Sequence, residues 1–133
     1  MNIKCKFTKS AIGDEHFVFG WASVSQDKDG NIIVDADGDT IAIEELEKAV
    51  YRYVSYGGVG DEMHEGKYVA SLIESVVFTP AKMAAIGIQE GLIPYGWFVG
   101  FKVHNDSVWQ KIKDGEYVMF SLGGKAVRSE NDE

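Results

Sequence analysis

A chain of 133 residues is long enough for one domain that buries roughly two thirds of its unfolded surface, so neither a metal nor a disulfide is needed as a staple. Its 21 acidic against 13 basic residues give a formal net charge of -8, which repels phosphate backbones and anionic lipid and favours another protein as partner over nucleic acid or membrane. One cysteine, Cys5, excludes an internal disulfide, and no stretch has the pattern of a signal peptide or the length of a membrane span, so the chain reads as cytosolic.

In NIKCKFTK, the apolar Ile3, Cys5 and Phe7 alternate with polar neighbours, the period-2 pattern of a strand with one solvated face. HFVFGWASV (16–24) is apolar on both faces, and the turn residues DKDGN lead into the short run Ile32 to Val34, which predicts a hairpin. Residues 43–54 place Ile43, Leu46, Val50, Tyr51 and Val54 on one helical stripe. Glu44 and Glu45 suit the positive end of that helix, Glu44 can pair with Lys48, and Gly57 and Gly58 stop it. Three further runs, Tyr68 to Phe78, Trp97 to Val103 and Tyr117 to Val127, are rich in β-branched and aromatic residues and predict buried strands. Between them, TPAKMAA predicts a short helix capped by Thr79, with Pro80 in its first turn and its end near Gly87. Another helix is expected from about Asp106 to Lys113, with Trp109 and Ile112 inward and Gly115 as its stop. Short strands with interspersed helices and no regular alternation predict an α+β fold, a small, mainly antiparallel β-barrel or curled sheet with flanking helices. Residues 1–128 read as a single domain, with 129–133 in the polar, acidic tail RSENDE expected to be disordered.

Metal chemistry finds little support. DKDGN and DADGDTIAIEEL suggest carboxylate loops, but an EF-hand needs glycine at its sixth position and glutamate at its twelfth. Counting from Asp27 gives Ile32 and Gly38, and counting from Asp35 gives Thr40 and Leu46. Turn formation through Asp and Asn side chains explains both stretches better. One cysteine and the scattered histidines 16, 64 and 104 lack the close ligand pairs of zinc sites, and no cofactor motif is present.

Nucleophilic chemistry fares better. In GDEMHEG, His64 lies among Asp61, Glu62 and Glu65, whose charge would favour an imidazolium formed during proton transfer. In GEYVMFSLGG, Ser121 interrupts an apolar run and is followed by Gly123 and Gly124, which either mark a bend in the strand or clear space for a substrate backbone. The α/β-hydrolase elbow does not fit, because Met119 occupies a required glycine position. Taken singly, a solvated histidine and a structural serine explain the two residues better than catalysis does.

Several ordered segments together resemble the XkdF-like family of phage prohead proteases, relatives of tailed-phage capsid-maturation proteases and, more distantly, herpesvirus assemblins. They are GWASV (20–24), DADGDTIAIEELEKAVYRYV (35–54), EMHE (62–65), IESVVFTPAKMAAIGI (73–88), GWFVGFKV (96–103) and GEYVMFSLGGKAVR (115–128). The resemblance implies a serine endopeptidase with His64 as base, Ser121 as nucleophile, and backbone N–H groups near Leu122, Gly123 and Gly124 facing the oxyanion. It implies an assemblin-like barrel, and phage scaffold and major capsid proteins, or the chain itself, as substrates. The place of action is the host cytoplasm inside an assembling procapsid, and the likeness to assemblins suggests a homodimer. Related enzymes place the residue that orients the histidine well after the serine, whereas here only residues 122–133 follow Ser121. Glu74, in a strand among apolar neighbours, is therefore the candidate third member, with His104 as the other option. Ser75, without adjacent glycines, is the weaker candidate nucleophile. A noncatalytic capsid-assembly or scaffold-binding module on the same fold is the alternative.

Overall fold

The computed structural model describes residues 4–6, 16–35, 37–55, 70–114, 117–121 and 126–128, with backbone only at 4–6, 108, 112, 117–121 and 126–128. In chain order the elements are β1 (Lys4–Lys6), β2 (Phe17–Gln26), α1 (Ile43–Ser55), β3 (Ala70–Phe78), α2 (Pro80–Ile86), β4 (Tyr95–Val103), α3 (Asp106–Lys113), β5 (Tyr117–Ser121) and β6 (Ala126–Arg128). They build two antiparallel three-stranded sheets, ordered β2-β4-β3 and β1-β5-β6. The fold is α+β with mainly antiparallel sheets and flanking helices, and of the two expected forms, barrel or curled sheet, the closed barrel is not seen, because neither sheet closes on itself among the described residues. No helix among these residues is long and apolar enough to cross a membrane.

The central strand β4 sets the architecture through its alternation. Trp97, Val99, Phe101 and Val103 are buried on one face, while Gly96, Phe98, Gly100 and Lys102 lie on the other. Cross-strand partners extend the buried face: Val18 opposes Phe101, Val77 opposes Trp97, and Ala70 opposes Val103. Helix α1 joins this core with Ile43, Leu46 and Val50, and the Tyr53 ring meets Trp97 edge-on at 5.9 Å. The buried stripe thus runs 43, 46, 50, 53. Tyr51 and Val54, expected inside, are 51% and 40% exposed, and Tyr51 serves as a surface hydrogen-bonding group instead. Lys48 bonds Glu45 at 3.8 Å rather than the expected Glu44. Gly57 and Gly58 lie outside the described residues.

Helix α2 forms as its residues dictate. Thr79 Oγ1 accepts from the Lys82 N–H at 3.1 Å, Pro80 occupies the first turn, and Gly87 at φ 87° closes the end while Ile88 N donates to Met83 O. Lys82 then clamps α2 to α1. Its ammonium donates to the Val77 carbonyl (2.7 Å) and the Tyr51 hydroxyl (3.1 Å) and lies 3.1 Å from Glu47 Oε2. In α3 Trp109 is buried as expected; the side chain of Ile112, and Gly115, lie outside what is described.

Two expected strands take different forms. Ile32 to Val34 contributes one isolated bridge, Gln26 to Ile32, and no second strand of a hairpin. The run 117–127 is two strands: β5 ends at Ser121 and β6 returns beside it, Phe120 opposite Ala126. The chain therefore reverses between Ser121 and Ala126, an outcome that neither a bend nor substrate clearance alone anticipated.

Candidate functional site

Ser121 is the last residue of β5, with its backbone opposite Lys4 of β1. His64, Leu122, Gly123 and Gly124 lie outside the described residues, so pairing of the imidazole with the hydroxyl rests on sequence. Glu74 does not meet the condition that made it a candidate. It is exposed, on the face of β3 away from the core, directly after a bulge at Ile73 that shifts the register between Leu72 and Glu74. A carboxylate there bears no large desolvation cost and needs no histidine partner. Ser75 anchors the core rather than a substrate, because its Oγ accepts a hydrogen bond from the buried Trp97 indole N–H at 2.8 Å.

The outer face of β2-β4-β3 carries half-buried aromatics. Trp21 meets Phe98 edge-on at 5.2 Å and Phe78 at 5.8 Å, and Phe19 stacks with Phe98 at 6.5 Å. Gly100 is required beneath this group, because a Cβ there would come within 2.8 Å of the Phe19 ring and 3.0 Å of Glu74 Oε1. At the end of this face the structure joins two residues that sequence reasoning did not connect. Ser71 Oγ lies 2.5 Å from His104 Nε2, next to Lys102, which opposes Ser71 across the strands and reaches over the Phe17 ring at 5.0 Å. His104, just past the end of β4, thus makes a polar contact across the sheet. The only available signal was the register of β3 on β4, which periodicity cannot supply. His16, in the left-handed region at φ 68°, stacks on Trp109 at 4.8 Å; its ring Nδ1 lies 3.4 Å from the Val103 carbonyl oxygen.

The two acidic stretches are the same turn built twice. Asp27 Oδ1 accepts from Asp29 N (3.0 Å) and Asn31 N (2.8 Å), and Asp35 Oδ1 accepts from Asp37 N (2.9 Å) and Asp39 N (2.8 Å). In each, glycine at the fourth position adopts positive φ, 93° at Gly30 and 81° at Gly38. These hydrogen bonds hold the Asp27 carboxyl below its ordinary value, chiefly through the backbone N–H of Asn31. The spacings D-x-D-G-N and D-x-D-G-D carry this repeat, a signal that the EF-hand count does not detect. Asp35, Asp37 and Asp39, all exposed, each offer a carboxylate oxygen within 4.8 Å of the others.

A family model described as "Putative phage serine protease XkdF" matches residues 6–130. The chain is 32% identical over 103 residues to "Uncharacterized protein YqbD" of Bacillus subtilis (strain 168), an overlap covering 75% of this chain and 30% of that relative. The chain therefore corresponds to under a third of the relative it matches. No solved structure matches it significantly. With nearly its whole length inside that match, the chain belongs to the family described as "Putative phage serine protease XkdF".

Proposed function

We propose that this protein is a phage serine endopeptidase that cleaves scaffold or capsid protein, and itself, during capsid maturation in the host cytoplasm inside the assembling procapsid. The observation that carries the reading is the family match over residues 6–130. An assemblin-like arrangement and a homodimer belong to the same proposal. In it, Ser121 Oγ adds to the scissile carbonyl carbon while His64 takes the hydroxyl proton. The tetrahedral oxyanion is held by backbone N–H groups near Leu122, Gly123 and Gly124. Collapse breaks the C–N bond, His64 delivers the proton to the leaving amine, and water then hydrolyses the acyl ester by the reverse proton route.

A second assignment of the couple is favoured by one specific contact. Ser71 Oγ at 2.5 Å from His104 Nε2 has the geometry of a nucleophile and its base, with Lys102 supplying positive charge nearby. The experiment that separates these readings incubates the chain with the scaffold and capsid proteins of its own phage and maps cut sites by mass spectrometry. Wild-type and Ser71→Ala protein should cleave alike, and Ser121→Ala should lose roughly 10³-fold or more. Loss in Ser71→Ala with retention in Ser121→Ala would move the couple to Ser71–His104. An intact substrate with every form would favour the noncatalytic assembly module.

A further inference from the structure

We propose that the acidic, aliphatic surface formed by residues 32–35 and 37–44 is a docking site for a segment of another protein that carries aliphatic side chains flanked by lysine or arginine. Four large aliphatics project there within ten positions: Ile32 and Val34 are each 58% exposed, Ile41 39% and Ile33 37%. Scattered exposed aliphatics are ordinary; a cluster of this kind marks an interaction surface. The exposure is built into the backbone. The Asp27 turn closes one side, Ile33 N donates to Ser25 O at 3.1 Å, and the Asp35 turn closes the other side with Asp35 N donating to Asp39 O at 2.9 Å. A segment pinned this way loses little backbone entropy when a partner covers it.

Two concavities adjoin the cluster and share Thr40 and Ile41 as their common wall. One, of about 490 Å³, lies between Ile32, the start of α1, Pro80 and Tyr95. The other, of about 350 Å³, is lined by Val24, Ile33 and Leu46 together with Asp35 and Asp39. Each has room for an aliphatic or aromatic side chain, and their adjacency suits two anchors on one peptide. The rim decides the partner's charge. Asp35 and Asp39 line one concavity, Glu44 the other, and Asp37 is exposed beside them. Among the described residues none of these four carboxylates has an ion-pair partner. A second copy docking here through a two-fold axis would bring like carboxylates together, and nucleic acid or anionic lipid would be repelled, whereas a basic, apolar segment complements both features. The inference does not depend on peptidase chemistry.

The test measures binding, with Ser121→Ala protein so that hydrolysis cannot interfere. The probe is a fluorescein-labelled 12-residue peptide with three leucines and three lysines among serines, followed by anisotropy and backbone amide shifts. Saturable binding is expected, with shifts centred on residues 32–44, and at least tenfold weaker binding when the leucines become serine or the lysines become glutamate. The double variant Ile32→Ser/Val34→Ser, at positions that contribute little to the core, should unfold at the wild-type midpoint yet bind at least tenfold more weakly. Asp39→Asn/Glu44→Gln, which leaves the Asp35 turn intact, should weaken binding severalfold and flatten its salt dependence. Equal binding of all three peptides, unchanged binding by the aliphatic variant, or shifts elsewhere would overturn the proposal. So would a dimer seen by sedimentation that Ile32→Ser/Val34→Ser dissociates, because the surface would then belong to a second copy.

Discussion

The two faces of the β2-β4-β3 sheet are built from the same strands but hold different chemistry. Beneath α1, β4 presents Trp97, Val99, Phe101 and Val103, all at most 2% exposed. On the opposite face the same strand presents glycine, Phe98, glycine and Lys102, and the aromatics from three strands remain partly wet. Every titratable or nucleophilic side chain that the described sheet places in a polar contact is at its outer face, its ends or its edge: Ser71 with His104, Lys102 over Phe17, Ser75 at the rim under the Trp97 indole. A buried face cannot hold such groups without costly desolvation, so the core excludes chemistry and the exposed face receives it.

Truncation should separate the faces most strongly. Trp97→Ala is expected to cost about 3–5 kcal/mol, because a fully buried indole leaves a cavity that the packed strands and Tyr53 cannot fill. Phe98→Ala, one residue along but on the wetter face, should cost about half as much in the same urea titration. Equal losses would mean that the outer face is as well covered as the core. A smaller effect is expected of Ser75→Ala, about 1–3 kcal/mol, from leaving the Trp97 N–H without its acceptor. If Ser75→Ala removed peptidase activity at unchanged stability, its anchoring role would be refuted.

The smallest effect concerns the clamp outside the sheet. The Tyr51 hydroxyl, then Lys82, hold the Glu47 carboxyl below its ordinary value, so this contribution is present above pH 4.5 and is lost as pH falls through the lower folded value. Burial opposes the ammonium of Lys82, but Tyr51 and Glu47 outweigh it and raise its pKa above 10.5, so its share persists up to that pH and is lost only in stronger alkali. Glu47→Gln should lower the thermal midpoint by only a few degrees at pH 7 and reduce its decline below pH 4.5. A parallel decline in wild type and variant would show that the clamp is electrostatically idle.

Local interactions made α2 readable in full: Thr79, Pro80 and Gly87 act through hydrogen bonds spanning at most a few residues. The strands of β2, β3 and β4 were legible for the same reason, since alternating and β-branched side chains report the pleat directly. The exposure of Glu74 was not legible because its neighbours along the chain are apolar while it sits just after a bulge in β3, and that of Tyr51 because it lies at the margin of its helical stripe. The interrupted run 117–127 reads as one strand because its composition continues across a chain reversal.

By itself the sequence determined the α+β class, the caps of α2, the acidic surface and the family, properties written in short-range patterns and ordered segments. Strand order, sheets that do not close among the described residues, the meeting of Ser71 with His104, and the cluster of aliphatics beside two grooves were decided by tertiary structure. These depend on register between strands and on contacts far apart in the chain. A one-residue shift in pairing would send each side chain to the opposite face without altering a single local preference.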